Sequence, residues 1–416
     1  MTVSFRVPSD DDFGRLAVFD GRAFGSDWKD DDLERVRPTI PLDRFVIGEN
    51  AADGQIVAAG GAYAYELTLP GLATVDAACV TWIAVAVTHR RQGLLTTMMR
   101  MLDEAAADRG EPVMVLTASE GSIYRRFGYG SATSWRATTI DRRFGQVLPS
   151  HQPAPGSVRI VDRDGIDDAL FERWDRYRRA QPGELSRSRA WFPAHLDRGT
   201  NSTFALHDDG YAAWSIEQKW DLGHPRHELT IRDFCAATPE AHAALWHTIL
   251  SVDLVGEITS MYTVAPDDQL PYLLDDPRAL RTIELNDFLW VAVRDVAAAF
   301  SARSYRTDDR LVLGTEYGRF AVEADRCVAT TDDPDLVCET DALGPLLLGS
   351  VSASVGPGSA DPGRTRRSVA CRCLLRTRSR RPLPNAVLAA SFPRRCWPWV
   401  RCSPAVAHPA RTPTLG

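Results

Sequence analysis

Hydrophobic and polar positions alternate along the chain with two different periods, which predicts a mixed α/β protein. After the potential N-caps Ser9 and Asp10, apolar residues recur at helical spacing, so that Phe13, Leu16 and Phe19 share one face. Short apolar runs rich in β-branched residues predict strands between the helices. The further elements predicted for this first unit are helices at 30–36 and 94–107 and strands at 44–47, 55–67, 80–87, 113–116 and 134–140.

The mixed pattern repeats after a stretch at 148–157 that contains proline, glycine and serine and is predicted to be a linker. The second unit is predicted to contain helices at 165–178 and 239–250 and strands at 211–217, 228–235, 257–264 and 282–293. A third region begins with a helix at 296–304 and continues with strands at 311–314, 318–323 and 326–330. We therefore expect three units, at 1–147, 158–293 and 294–351.

The periodicity ends at residue 352. Residues 351–416 contain 12 arginines, no lysine, one acidic residue and nine of the 26 prolines. A segment of this composition buries too little apolar surface to offset its ordering entropy, so we expect residues 352–416 to be disordered. Two interpretations stay open: translation of GC-rich DNA in a shifted frame, and a natural basic tail.

The overall charge of −7 hides a division, because the first 350 residues carry 36 basic and 54 acidic side chains, a net charge of −18. This balance disfavours nucleic-acid binding and favours cationic small molecules or basic peptides as partners. The early sequence is acidic where a signal peptide needs an apolar core, and no apolar run is long enough for a membrane helix, which indicates a cytoplasmic protein. The cysteines match no standard zinc spacing, so we expect no metal site.

The segment at 80–100 predicts a strand, a tight turn and a helix in immediate succession. The turn contains Arg90-x-x-Gly93, with Leu95 two places after the glycine. Such a junction directs backbone N–H groups and a helix N-terminus at one point, an arrangement that binds a pyrophosphate. Neither common phosphate-loop pattern is present, and a plain strand-to-helix connection is the alternative.

Several motifs, taken together and in order, resemble those of the Eis ("enhanced intracellular survival") family of GNAT N-acetyltransferases. They are Ile83-Ala-Val-Ala-Val-Thr-His-Arg-Arg-x-Gly-Leu-Leu95, Ala118-Ser-Glu-Gly-x-Ile-Tyr-x-Arg-Phe-Gly-Tyr-Gly130, Asp141-Arg-Arg-Phe144, Leu270-Pro-x-Leu-Leu274 and Leu289-Trp290. The resemblance implies an α/β (α+β, GNAT-type mixed sheet) multidomain fold: two tandem GNAT-like domains, the second without cofactor, followed by a sterol-carrier-protein-like domain. It also implies a homohexamer.

The resemblance implies acetyl-CoA as the acetyl donor and assigns its binding to two groups of residues. The pantetheine arm lies along the strand backbone, and the pyrophosphate lies at the turn and the first helical residues. Arg90 is left to face solvent or pair with an acid, and His89 is expected at the surface rather than as a base. The residues assigned to the coenzyme are Ile83, Ala84, Val85, Arg91, Gln92, Gly93, Leu94, Leu95, Thr96, Ser119 and Glu120.

The resemblance also assigns the two proton-transfer roles. Tyr124 is the general acid for the departing thiolate, and a phenol is protonated at neutral pH, as this role requires. Without the motif, core packing is the favoured interpretation of Tyr124, and helix capping is an equal alternative for Glu120. The general base of the family is the carboxylate at the chain's own C-terminus, here Gly416, although the ending lacks the family's aromatic or acidic residues.

The acceptor is expected to be the amine of an aminoglycoside-like polycation or of a lysine side chain. Candidate residues for binding it are Asp27, Trp28 and Glu34, in an acidic run that alternatively forms a solvated face. A second hypothesis for the whole chain is a non-catalytic GNAT-fold scaffold, or an apolar-ligand-binding protein, with an altered C-terminus. An intact turn and Tyr124 favour the enzyme.

Overall fold

The computed structural model describes residues 2–196, 202–305 and 308–350. The predictions for residues 352–416 and Gly416 therefore lie outside the described residues. The helices are α1 (Phe13–Phe24), α2 (Asp30–Val36), α3 (Leu94–Asp108), α4 (Asp167–Arg179), α5 (Trp191–His195), α6 (Pro239–Leu250), α7 (Leu270–Leu273), α8 (Val296–Ala302) and α9 (Thr340–Leu348). No helix in these ranges has both the length and the apolar character needed to cross a bilayer.

The strands of the first half are β1 (Val3–Arg6), β2 (Phe45–Asn50), β3 (Ile56–Thr68), β4 (Thr74–Val85), β5 (Val113–Thr117), β6 (Gly130–Ser131), β7 (Ser134–Asp141), β8 (Arg159–Val161), β9 (Ser202–His207) and β10 (Gly210–Glu217). Those that follow are β11 (Trp220–Asp221), β12 (His224–Pro225), β13 (His227–Ala236), β14 (Val255–Val264), β15 (Leu280–Asp287), β16 (Leu289–Val293), β17 (Leu311–Thr315), β18 (Gly318–Glu323), β19 (Arg326–Ala329) and β20 (Leu336–Val337).

The first sheet has the order β1-β2-β3-β4-β5-β16-β6 and mixed strand directions. Strands β1 to β4 pair antiparallel, and β4 and β5 pair parallel through the crossover helix α3. Helix α3 buries an apolar stripe made of Leu94, Met98, Leu102 and Ala106, four positions of one helical face. That stripe packs on one face of the sheet, and α1 packs on the other. The predicted α/β class is confirmed.

The second sheet has the order β15-β7-β14-β13-β10-β9-β8 and, like the first, combines parallel and antiparallel strand pairs. Strands β13 and β14 pair parallel, joined by α6, and their neighbours are antiparallel. Helix α6 buries Leu245, Trp246 and Ile249 against this sheet. The chain therefore contains two tandem mixed-sheet units built around one parallel pair each.

An antiparallel ribbon is shared by the two sheets, and the prediction at this point was wrong in two respects. Residues 134–140 were expected to close the first unit, and 282–293 to form one strand of the second. Instead β7 and β15 pair in the second sheet, while β6 and β16 belong to the first. The physical reason is a local break: the amides of Phe288 and Leu289 bond to the carbonyl and hydroxyl oxygens of Thr133, at 2.8 and 3.0 Å. Both segments of the ribbon, β6–β7 and β15–β16, therefore pass from one sheet to the other at the same point.

The third region packs on the first sheet through two helices. Strands β17 to β20 form a four-stranded sheet that α8 covers, and α9 lies against β16 and β6. The close fit requires glycine at two positions, since a Cβ on Gly130 would collide with the Asp341 carbonyl and one on Gly344 with the Val291 carbonyl. The sterol-carrier-like fold of this region stays a prediction.

We expect Thr133→Val to destabilise the fold because it removes the hydroxyl acceptor at the ribbon break and leaves the buried Leu289 amide unpaired. The cost should be about 1–3 kcal/mol in the free energy of unfolding, measured by urea denaturation. Thr282→Val, on the exposed edge strand β15, is the matched control and should change stability by less than about 0.5 kcal/mol. Equal effects of the two variants would contradict the role of Thr133.

Candidate active site

The two parallel strands of the first sheet separate at the candidate site. Strands β4 and β5 pair only from Ala77 opposite Val113 to Cys79 opposite Val115, and β4 then continues to Val85 without β5 beside it. Strand β5 stays in the sheet because β16 pairs with it on the other edge, as far as Thr117. The backbone of Ile83, Ala84 and Val85 therefore faces an opening on the β5 side, where a ligand can bond to it.

A bulge in β4 produces this separation. Trp82 has a positive φ of 56°, and the pairing register with β3 shifts between Ala59 and Gly61. Gly60 lies at the shift, where a Cβ would collide with the Ile83 side chain. Beyond the bulge, successive side chains of the pleated strand point to opposite faces, so that Ile83 and Val85 pack with α3, and Trp82 and Ala84 pack with α1 and α2.

The junction from β4 to α3 leaves several backbone N–H groups free to bind an anion. Gly93 caps the helix in the left-handed conformation at φ 80°, and Arg91 also has a positive φ of 63°. The amides of Leu94, Leu95 and Thr96 belong to the first turn of α3 and therefore have no partner within the helix. No side chain caps the helix start in their place. The positive end of the helix dipole adds to their attraction for negative charge. The residues predicted to hold a pyrophosphate thus come together at one helix start.

The side chains of this turn are arranged as an anion site requires. Arg90, Arg91 and Gln92 are exposed, and neither arginine forms an ion pair within the described ranges. Leu95, two places after Gly93, packs partly into the apolar cluster under α3. His89 was predicted at the surface, and that was wrong: it is buried, its Nδ1 lies 2.8 Å from the Thr88 hydroxyl, and its Nε2 has no hydrogen-bond partner among the described residues.

Tyr124 lies at the start of a short 3-10 turn, Arg125–Phe127, on the α3 side of the sheet. Its ring packs edge-on against Tyr129 with 6.1 Å between centroids, and its hydroxyl makes no hydrogen bond to the residues that the structure describes. Burial, with a smaller contribution from the Glu120 carboxylate, raises the pKa of the Tyr124 phenol to about 12. The phenol is therefore a neutral hydrogen-bond donor throughout the physiological range.

Ser119 and Glu120 occupy the exposed loop that follows β5. The backbone carbonyl of Glu120 accepts a bond from the Ile123 amide at 3.2 Å, which closes the turn before Tyr124. The side chain of Glu120 is exposed and close enough to the phenol to raise its pKa. Both residues thus follow the strand that borders the opening, and Glu120 lies near the tyrosine.

The predicted acceptor residues lie on the other face of the sheet. Trp28 stacks on Trp82 with 5.6 Å between the ring centroids. Trp82 is the residue directly before Ile83 in β4. Its indole N–H donates to Asp20 at 3.0 Å, a buried acid of α1 that sequence reasoning missed. An acidic residue within the apolar face of α1 was the available signal. Asp27 and Glu34 are exposed, on the same side as Trp28.

The second unit contains the same strand-helix junction in a closed form. Helix α6 follows β13 as α3 follows β4, but its N-cap Thr238 accepts the Ala241 amide at 3.2 Å through its hydroxyl. Pro239 at the first helical position has no N–H to offer. Since the helix start is already satisfied and no arginine-glycine turn precedes it, this junction lacks the anion-binding features of the first unit.

Two comparisons with known families agree with this geometry. Residues 4–132 and residues 183–294 each match a family described as an acetyltransferase (GNAT) domain. The crystal structure of Eis1 from Mycobacterium abscessus superimposes with a TM-score of 0.75 and 28% identity, covering 84% of this chain and 90% of that one.

Relatives of assigned class are similar over most of the chain. The N-acetyltransferase Eis of Mycobacterium tuberculosis is 34% identical over 380 residues, covering 85% of this chain and 91% of the relative. The chain belongs to the Eis family of GNAT N-acetyltransferases. An uncharacterized N-acetyltransferase of Streptomyces griseus is 37% identical over 360 residues, covering 79% and 86%. Membership makes the protein an acetyl-CoA-dependent N-acetyltransferase with two tandem GNAT domains.

We expect the buried tyrosine to make the protein sensitive to alkali. Because the folded-state pKa of Tyr124 lies above the unfolded value of 10.0, its stabilisation is complete below pH 10 and is lost as the pH rises toward about 12. Between pH 10 and about 12, ionisation of this group should lower the free energy of unfolding by up to about 1.4 kcal/mol per pH unit. Tyr124→Phe lacks this contribution, so its stability should fall less steeply with pH. Urea denaturation at pH 8 to 11 measures both slopes, and equal slopes would contradict the assignment.

Proposed function

We propose that the protein transfers the acetyl group of acetyl-CoA to an amine of an aminoglycoside-like polycationic small molecule or of a lysine side chain. The observation that carries the proposal is the opening between β4 and β5, which has free amides at the α3 N-terminus near one end and the neutral phenol of Tyr124 beside it. Reaction requires the thioester and the amine to meet in this opening.

The coenzyme is proposed to lie along the free edge of β4 and end at the turn. Its pantetheine amides would bond to the backbone of Ile83 and Val85, which has no strand beside it on the β5 side. Its pyrophosphate would accept bonds from the amides of the turn and the first helical residues, while Arg91 supplies positive charge. The full proposed set is Ile83, Ala84, Val85, Arg91, Gln92, Gly93, Leu94, Leu95 and Thr96, with Ser119 and Glu120 beside the thioester.

Tyr124 is proposed to act on the sulfur as the general acid. Attack of the amine on the thioester carbonyl breaks the carbon–sulfur bond and leaves a thiolate, which the phenol stabilises by donating a hydrogen bond. A thiol has an ordinary pKa of about 8.5, so complete transfer of the proton from a phenol of pKa about 12 is uphill. The main contribution of Tyr124 is then a hydrogen bond that strengthens as charge develops on sulfur.

Two carboxylates are proposed as candidates for removing the amine proton. The resemblance assigns this role to the terminal carboxylate of Gly416, which is outside the described residues. Within the described part of the chain, Glu120 is the first alternative, since its exposed carboxylate lies beside the Tyr124 phenol. An exposed carboxylate takes a proton from an ammonium group only when that group's pKa is lowered, as desolvation in a closed site does.

The acceptor is proposed to approach from the α2 side. Asp27, Trp28 and Glu34 lie there, next to the bulge that opens the sheet. The net charge of −18 on the first 350 residues would attract a polycation over a distance of roughly 8 Å at physiological salt. A homohexamer and a cytoplasmic location complete the proposal.

We expect Gly93→Asp to abolish acetyl-CoA binding. The position has room for a Cβ, so the effects of the change are a strained left-handed conformation and a negative charge beside the pyrophosphate. Titration calorimetry with acetyl-CoA measures the loss, and Gly110→Asp, at the far end of α3 with a positive φ of 73°, is the matched control. Unchanged affinity in Gly93→Asp would overturn the phosphate assignment.

We expect Tyr124→Phe to lower turnover by about 10²-fold or more while acetyl-CoA affinity stays within about threefold of the parent, because the change removes a hydroxyl and little volume. Release of the coenzyme thiol is followed with kanamycin and with a lysine peptide as acceptor probes. Near-normal turnover with both probes would return Tyr124 to a packing role.

A further inference from the structure

Arg294 lies directly beyond β16, the strand that the second half of the chain contributes to the first sheet. Its backbone amide donates to the Pro112 carbonyl at 2.8 Å, immediately before β5 begins. The backbone position of Arg294 is therefore fixed relative to the first GNAT unit, although 171 residues of chain, 118–288, separate β5 from β16. No part of the function proposed above uses this residue.

The guanidinium of Arg294 connects α3, the helix whose N-terminus is proposed to bind the coenzyme, with the turn that carries Tyr124. Its Nε lies 2.5 Å from the Asp103 carboxylate of α3, and one terminal nitrogen donates to the Phe127 carbonyl at 3.0 Å. The group also lies over the Tyr129 ring, 5.6 Å from its centroid, and its other terminal nitrogen is 3.3 Å from the Tyr317 hydroxyl. Its side chain is 17% exposed.

Phe127 and Tyr124 are parts of one rigid turn. The amide of Phe127 donates to the Tyr124 carbonyl at 2.9 Å, and Tyr129 donates to the same carbonyl at 3.3 Å. Gly128 closes the turn in the left-handed conformation at φ 80°. A hydrogen bond that holds the Phe127 carbonyl therefore holds the backbone from which the Tyr124 side chain extends.

A second ion pair also joins the same turn to another part of the chain. Arg125 contacts Asp341 of α9 at 2.7 Å, and Asp341 is largely buried. This pair is mostly exposed on the arginine side, so its contribution is small. Arg294 is better placed to determine the position of the turn, because it is largely buried, donates a hydrogen bond to the backbone of the turn and forms an ion pair with Asp103 of α3.

We propose that Arg294 is a positioning residue that sets the distance between the Tyr124 phenol and the sulfur of acetyl-CoA bound at α3. This inference rests on the proposed function of Tyr124 as the acid. A displacement of about 1 Å in a reacting group lowers turnover by up to about 10²-fold. Loss of Arg294 therefore acts on the chemical step through Tyr124, while the pyrophosphate site at the other end of α3 keeps its free amides.

The test is a double-mutant cycle on turnover with Arg294→Met and Tyr124→Phe. Arg294→Met alone should lower kcat by about tenfold or more and leave acetyl-CoA affinity within about threefold. In the Tyr124→Phe background the same change should alter kcat by less than about twofold, because the group that Arg294 positions is already absent. Acetyl-CoA with kanamycin, followed by thiol release, is the probe reaction.

The matched control is Arg178→Met. Arg178 is more deeply buried than Arg294 and contacts Glu66 and Asp175 at 2.6 Å each, but it has no contact with the tyrosine turn. It should lower the unfolding temperature as Arg294→Met does, while changing kcat by the same small factor in both backgrounds. If Arg294 has only a structural role, Arg294→Met should likewise change kcat by the same small factor with and without the Tyr124 hydroxyl.

The outcomes separate this inference from the proposed function. Slow turnover in Tyr124→Phe together with a full further loss from Arg294→Met overturns the positioning role alone. Normal turnover in Tyr124→Phe overturns the acid assignment and the positioning role with it. If Arg294→Met does not fold, Arg294→Lys goes through the same cycle: lysine keeps a charge near Asp103 but cannot reach Asp103 and the Phe127 carbonyl together. A loss that disappears in the Tyr124→Phe background supports the proposal, and one that persists contradicts it.

Discussion

The short parallel pairing between β4 and β5 is the constraint on which the rest of the first domain depends. Three paired positions hold the strands together at one end, and beyond them the bulge at Trp82 turns β4 away. A sheet with unpaired backbone in its middle is costly unless another group satisfies it. The free edge therefore suits a ligand with amides of its own, and the free helix start next to it suits an anion.

Strand β16 makes this opening possible. A β5 strand that has left β4 needs a partner, and β16 supplies one along its whole length from Val293 to Leu289. Because β16 arrives from beyond the second sheet, the second domain contributes to the architecture of the site although its own helix start is closed by Thr238 and Pro239. The shared ribbon explains why two domains of this kind occur as one unit.

The same ribbon brings the distant parts of the chain to the candidate acid. Arg294 follows β16, and α9 packs on β16 and β6, so both reach the turn of Tyr124. In the second sheet the ribbon forms the edge, where β15 is exposed along almost all of its length. The contacts of the turn thus come from four segments: the loop after β5, α3, the end of β16 and α9.

Local patterns were enough to predict the elements of the site but not their partners. Periodicity located α3, and Arg90-x-x-Gly93 with the Tyr124 motif indicated the family, since helix capping, turn conformation and strand alternation depend on neighbours within a few residues. The sequence by itself thus determined the fold class and the junction that presents free amides. The tertiary structure decided that 282–293 divides between two sheets, that His89 and Asp20 are buried, and that Arg294 contacts α3 and the tyrosine turn. These features depend on packing between segments far apart in the chain, which no local period encodes.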